Sequence, residues 1–264
     1  MLKVEHVFKT FNPGTITEKK ALKDLSIHLA PGDFVTVIGG NGAGKSTMMN
    51  SICGTFLVDK GSITIDGTDI TSWPEHRRAK FIGRVFQDPM MGTAAGMQIE
   101  ENLAIAARRN RRPTFAWSAP GNQRERFREM LASLGLGLEN RLESKVGLLS
   151  GGQRQAVTLL MATMAEPKLL LLDEHTAALD PKTAAKVLEI TNNIVTERKL
   201  TTLMITHNMR DALALGNRLV MLHDGHIIID VAGEEKKNLT VPDLLKMFEK
   251  AAGSEMTNDR LLLS

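Results

Sequence analysis

The spacing of apolar and polar residues changes several times along the chain, and each change marks an element. The opening stretch alternates. Leu2-Lys3-Val4-Glu5-His6-Val7-Phe8 has the two-residue period of a strand, and Leu25-Ser26-Ile27-His28-Leu29 reads as its antiparallel partner. Asn12-Pro13-Gly14 marks a turn between them, and Pro31-Gly32-Asp33 turns the chain again. Later runs lose the alternation. Phe34 to Ile38, Lys168 to Leu172 and Thr202 to Thr206 are apolar almost throughout, as strands buried on both faces of a parallel sheet would be. Ser62 to Gly67 reads as a short strand and turn, and Phe81 to Phe86 as a further strand. Leu219–Leu222 and His226–Ile229 flank Asp224-Gly225, a hairpin signal.

Helices fill the gaps. One starts at Met48-Met49-Asn50-Ser51-Ile52, and Thr71-Ser72-Trp73-Pro74-Glu75 reads as a capped start with Pro74 near the first helical position. From about residue 94 strand formers thin out. Gln98 to Arg109 and Asn122 to Leu134 are patterned as helices, and Asn110 to Gly121 between them is rich in Arg, Pro and small residues. Leu149-Ser150-Gly151-Gly152-Gln153 opens a long helix through Ala156, Leu159, Leu160 and Thr163. Asp180-Pro181 is an N-cap and first-turn pair for a helix to Glu197, His207 precedes a short helix, and Val241 to Ala251 reads as the last one. The expected division is one domain over 1–264. Residues 1–93 and 150–230 form the core with a β part, 94–149 a helical insertion, and 231–264 a final helix and a loosely held tail from Gly253.

Composition removes several classes. The 264 residues suffice for one large α/β domain or two small ones, and 42% hydrophobic content is ordinary for a globular protein. No apolar run is long enough for a membrane-spanning helix, and Met1-Leu2-Lys3-Val4-Glu5-His6 does not read as a signal peptide. A single cysteine, Cys53, excludes an intrachain disulfide and reads as a core thiol. A net charge of +3 is only weak support for an anionic partner.

The stretch that carries chemistry is Gly39-Gly40-Asn41-Gly42-Ala43-Gly44-Lys45-Ser46-Thr47. Its spacing is that of a phosphate-binding loop, set between a strand and a helix. Glycines let the backbone wrap so that successive N–H groups point inward, and the helix N-terminus adds its positive end. Lys45 supplies a mobile charge for the β- and γ-phosphates, and Ser46 offers a hydroxyl to Mg²⁺. Such a loop needs a metal-binding carboxylate. Asp173-Glu174 follows the apolar run Leu169–Leu172, where acids would reach the ligand edge of a parallel sheet. Asp173 would hold Mg²⁺, and Glu174 would polarise the attacking water as general base.

Together these residues resemble the ABC ATPases. Leu149-Ser150-Gly151-Gly152-Gln153 is similar to that family's signature motif, and Lys45, Gln87, Ser150, Asp173-Glu174, Asp180 and His207 follow its motif order over residues 2–230. The fold implied is an α/β P-loop NTPase: a RecA-like parallel-sheet core, an N-terminal antiparallel β subdomain and an inserted α-helical subdomain. The resemblance implies ATP and Mg²⁺ as cofactors. Gln87 would reach Mg²⁺ and the attacking water, and His207 the γ-phosphate. Ser150, Gly151, Gly152 and Gln153 would act on ATP held by the partner's Lys45. Asp180, at the end of Ala177-Ala178-Leu179-Asp180, would cross the dimer interface; as a plain N-cap it could do both.

The family usually stacks adenine on a ring from the early strands. Phe11 is the candidate in a chain without Tyr, with core packing as its alternative, and Asn12–Lys20 is longer than in many relatives. His175 stands where Pro often follows the glutamate. It places an imidazole near the site and implies a local loop difference, not a catalytic role. Arg108-Arg109-Asn110-Arg111-Arg112 reads as a solvated face, with an anionic membrane surface as second reading. Met90, Met91 and Met97 fit either a groove for a permease helix or core filling.

The resemblance implies an ATP-binding subunit at the cytoplasmic face of a membrane. Its partners would be a second nucleotide-binding subunit (in a homodimer, or in a pair with a similar chain), an integral membrane permease and, indirectly, a solute-binding protein, with import of an amino acid or similar solute. An exporter subunit or a soluble ABC ATPase acting on DNA or the ribosome is the alternative. No long heptad insertion, cysteine cluster or second cassette supports the latter, so nucleic acid is not expected.

Overall fold

The computed structural model describes residues 1–109 and 121–252. Two sheets organise it. The first is antiparallel, in the order β2-β1-β4-β5, from β1 (Leu2–Phe11), β2 (Lys19–Leu29), β4 (Lys60–Ile65) and β5 (Thr68–Asp69). The second has the order β10-β9-β3-β8-β7-β6. It comprises β3 (Phe34–Ile38), β6 (Ile82–Val85), β7 (Leu169–Asp173), β8 (Thr201–Ile205), β9 (Arg218–His223) and β10 (His226–Ala232). All neighbours in it are parallel except the β9–β10 hairpin.

Both faces of the parallel sheet are covered, which explains its unbroken apolar runs. Leu169 and Leu171 pack with Met48, Met49 and Ile52 of α1 (Lys45–Cys53) and with the inner face of the antiparallel sheet. Leu170 and Leu172 point the other way, to Val157 and Leu160 of α5 (Gly151–Thr163) and Ile190 and Ile194 of α6 (Pro181–Glu197). Along β7 the two-residue period therefore assigns alternate residues to α1 and to α5. Cys53 is buried in the first cluster.

After α2 (Glu75–Arg78) and β6, the chain leaves the sheet through α3 (Ile99–Ala107) and α4 (Gly121–Ala132) before returning at α5. The two ends of this excursion are bound together: Ile99 N donates to Ser144 O at 3.0 Å and Val146 N to Met97 O at 3.0 Å. Phe127, Leu131, Leu138 and Val146 seal it onto α5. Beyond β8, α7 (Met209–Ala214) leads to the hairpin. Then α8 (Gly233–Asn238) and α9 (Val241–Ala252) follow, with Leu244 and Phe248 buried against β9 and β10.

Several expectations need correction. Pro74 is the N-cap of α2, outside the helix, and no side chain caps that helix. The segment Gly233–Asn238 is a helix with no counterpart in the sequence reading. Arg109 does not belong to a solvated face: it donates to the carbonyls of Ala79 and Ile82 and is held in the protein. Burial lowers its pKa from the ordinary range. Residues 110–112 of that basic run, and the tail from Gly253, lie outside the described residues. Met90 and Met91 are exposed rather than core filling.

Candidate active site

The phosphate loop bridges β3 and α1 in the setting its spacing predicts. Two glycines are required by close approach. A Cβ on Gly39 would lie 2.3 Å from Leu222 O, and one on Gly44, at φ 104°, 2.8 Å from Ala21 O. Gly44 is also the N-cap of α1, without a side-chain cap, and no acidic residue occupies the first turn. The first N–H groups of the helix are thus left for an anion. The buried Lys45 folds over the loop and donates to Gly39 O at 2.6 Å and Gly40 O at 3.1 Å. Asn41, Gly42 and Ser46 are exposed at the mouth, Thr47 is half-buried and Ala43 is buried.

The mouth is bordered by β2 and β1. Lys19 brings its ammonium to Gly42, 3.4 Å from where a methyl group would stand. Phe11 is the register partner of Lys19, so its ring belongs to the same rim. That ring is met edge-on by Phe56, with centroids 5.2 Å apart.

At the C-terminal end of β7 the chain bends sharply. Asp173 falls on the α1 side of the sheet, and Arg84 Nη2 donates to its Oδ2 at 3.0 Å. Glu174 adopts φ 44°, a left-handed conformation uncommon for a residue with a side chain. Its N–H is bonded to Ile205 O at 3.0 Å, which fixes the bend against β8. His207 follows β8, and its Nδ1 lies 3.7 Å from Glu174 Oε2. That is an ion-pair distance rather than a hydrogen bond, with His207 exposed and Glu174 half-buried.

His175, expected to bring an imidazole toward the site, points inward. It is buried, and Nε2 meets Thr191 Oγ1 on α6 at 3.0 Å. Thr191 Oγ1 donates to Val187 O, so it accepts from Nε2–H, leaving Nδ1 unprotonated and without a partner. Burial pushes the imidazole pKa down to about 4.

Gln87 is exposed just past β6, beside the β7 edge, and Gln155 Nε2 steadies that turn by donating to Phe86 O at 3.0 Å. Ser150 caps α5: its Oγ accepts from Gln153 N, and Gln153 Oε1 accepts from Ser150 N. Gly152 lies so close to α6 that a Cβ would meet Thr183 Cγ2 at 2.0 Å, and a Cβ on Gly151 would meet Leu179 Cδ2 at 3.0 Å. Asp180 caps α6 through Thr183 N at 3.1 Å, and the Thr183 hydrogen bonds hold its carboxyl below the ordinary carboxylate range.

The structure thus gathers Lys45, Ser46, Asp173, Glu174 and His207 at one edge of the parallel sheet. The helix opened by Ser150–Gln153 packs on the opposite face from α1. Sequence reading missed Lys19 and Arg84. A charge at the centre of a strand pattern, Ile82-Gly83-Arg84-Val85, was the available signal for the second.

The donor set suits a nucleotide with Mg²⁺. Among the described residues, no three or more His, Cys, Asp and Glu side chains cluster as a metal site. One carboxylate and one hydroxyl beside a phosphate cradle match Mg²⁺, which completes its shell with phosphate and water oxygens.

A phosphate cradle on a parallel sheet, with a carboxylate pair and a histidine at the strand ends, defines a P-loop NTPase. Residues 22–177 match the family model described as ABC transporter. The chain is 44% identical over 256 residues to the tyrosine transport ATP-binding protein of Clostridioides difficile, covering 95% of this chain and all of that one. It is 34% identical over 228 residues to the methionine import ATP-binding protein MetN of Corynebacterium efficiens, covering 84% of this chain and 60% of the relative. An ATP-binding cassette of an ABC transporter solved in its ADP conformation superposes with a TM-score of 0.76 at 30% identity, covering 94% of this chain and 98% of that one. A dimeric bacterial ABC transporter cassette gives 0.75 at 29% identity, covering 88% and 98%. The chain belongs to the ABC transporter family, as an ATP-binding ATPase of that family. No helix among the described residues is long and apolar enough to cross a membrane.

Proposed function

We propose that this chain is the ATP-hydrolysing subunit of a multi-subunit importer, working in pairs at the cytoplasmic face of a separate membrane permease. The observation that carries the reading is the meeting of the phosphate cradle with Glu174 and His207 at one sheet edge, while the Ser150 helix end lies on the other face. One copy then offers half of two sites, and a second copy completes them. The domain plan follows: a core with its β subdomain over 1–93 and 150–230, a helical subdomain over 94–149, and a C-terminal part over 231–264.

In this reading the loop N–H groups and Lys45 hold the phosphates of ATP, with Phe11 at the adenine side. Ser46, Asp173 and Gln87 would hold Mg²⁺, which would supply neutralisation of phosphate charge. Glu174 takes a proton from the attacking water, and its fixed backbone aims the carboxylate. His207, within ion-pair reach of Glu174, orients that carboxylate and contacts the terminal phosphate. Ser150, Gly151, Gly152 and Gln153 present a helix N-terminus to the partner's ATP, and Asp180 stands at the interface. The tyrosine and methionine systems among the relatives support an amino acid or similar solute. In this reading a solute-binding protein delivers it to the permease.

The test is Glu174→Gln. It is expected to keep ATP affinity and lower turnover on the order of a hundredfold or more. Turnover at the wild-type level would remove Glu174 from the role of base.

A further inference from the structure

Arg84 occupies an improbable place. It stands in β6, the edge strand beside β7, whose other three residues are buried, so a charge there is costly unless paired. Its side chain is 14% exposed and that of its partner Asp173 is 18% exposed, so water screens the pair little. Nη2 bonds Asp173 Oδ2 at 3.0 Å. The guanidinium lies 4.6 Å from the centroid of the Phe86 ring, and Nε is enclosed without a hydrogen-bond partner. Arg84 also lines a cavity of about 200 Å³ with Cys53, Glu75 and Ala79, and a groove of about 500 Å³ with Met91 and Met161. Asp173 is the carboxylate it pairs with, while Cys53 and the Phe86 ring are its other side-chain neighbours.

We propose that Arg84 is a positioning residue that competes with the divalent cation for Asp173. The inference rests on the reading of Asp173 as the metal carboxylate. A guanidinium bonded to one carboxylate oxygen fixes the orientation of the carboxylate. It also neutralises much of the charge that would draw a cation, because a like charge so near opposes a second one in a poorly screened site. Arg84 thus sets how much Mg²⁺ the protein needs before ATP binds tightly. It makes the Asp173 side of the site respond to the metal–nucleotide pair rather than to free metal.

The experiment measures ATP affinity of the purified full chain by calorimetry, once with Mg²⁺ and once with EDTA. The ratio of the two affinities reports the coupling between metal and protein, and a general loss of packing would not raise it. Asp173→Asn tests the underlying reading: the ratio is expected to fall. Arg84→Met tests the inference: the ratio is expected to rise roughly fivefold or more. Arg84→Gln keeps a donor for Oδ2 without the charge and is expected to raise it too, so the test survives if Arg84→Met fails to fold. Arg84→Lys keeps the charge and is expected to stay near wild type. An unchanged or lower ratio in Arg84→Gln, with the expected fall in Asp173→Asn, would overturn the competition alone. An unchanged ratio in Asp173→Asn would overturn the Asp173 reading and this inference with it.

Discussion

Glu174 sits between two side chains that go opposite ways: Asp173 toward α1 and its Arg84 partner, His175 into the packing under α6. The left-handed bend at φ 44° separates them. The inward imidazole gives a pH prediction with a definite sign. Its pKa falls from the ordinary 6.5 to about 4 in the folded chain. Between those values the unfolded chain binds the proton and the folded one does not, so stability is present above pH 6.5 and is lost as pH falls toward 4. The full window is worth ~3 kcal/mol. Melting temperatures at pH 7.5 and pH 5.5 check it: the wild type should lose more than His175→Leu. Equal losses would assign the acid sensitivity elsewhere.

At this scale the legible residues were those whose chemistry needs a local spacing. Lys45 and Ser46 follow from the loop, and Asp173 and Glu174 from an apolar strand ended by acids. What stayed hidden depends on partners far along the chain. Arg84 meets Asp173 across 89 positions, and Arg109 reaches Ala79 and Ile82 in a segment whose charge run resembled a solvated face.

Among elements, the α5–α6 contact is the tightest near the site. Gly152 admits α6 so closely that a single methyl group would collide with Thr183. Gly152→Ala is expected to destabilise the chain by roughly 1–3 kcal/mol through overpacking. Adding Thr183→Ser, which removes the colliding methyl group but keeps the hydroxyl, should recover most of that in a denaturant titration. No recovery would mean that the contact is not the source of the loss. Long elements with a clear period were readable, the three buried strands above all. The two-residue β5 and the six-residue α8 were not: neither spans enough positions to display a period, and neither carries a start signal such as the Pro74 that marks α2. Pro74 was readable as a helix signal, but the choice between N-cap and first helical position turns on one residue.

For the whole molecule, the α/β class and the antiparallel N-terminal sheet could be anticipated from alternation and from unbroken apolar runs. The strand order β10-β9-β3-β8-β7-β6 could not, because apolar runs state that strands are buried but not which lie side by side. That order has the functional consequence. It sets β3 beside β8 and β8 beside β7, bringing Lys45, His207 and Glu174 to one edge, while alternate residues of β7 separate α1 from α5. The helix opened by Ser150 therefore packs on the face of β7 opposite the helix that the phosphate loop opens.

The most direct test mixes two variants, each broken in one half of the composite site. Lys45→Ala removes the positive charge that holds the phosphates, and Ser150→Arg blocks the helix end. In a mixed pair, one site carries both defects and the other carries neither. Each variant alone should hydrolyse ATP barely above background. An equal mixture should regain roughly a quarter of wild-type turnover, because half of random pairs are mixed and each has one intact site of two. A mixture no more active than its separate components would contradict a site shared between two copies of this chain.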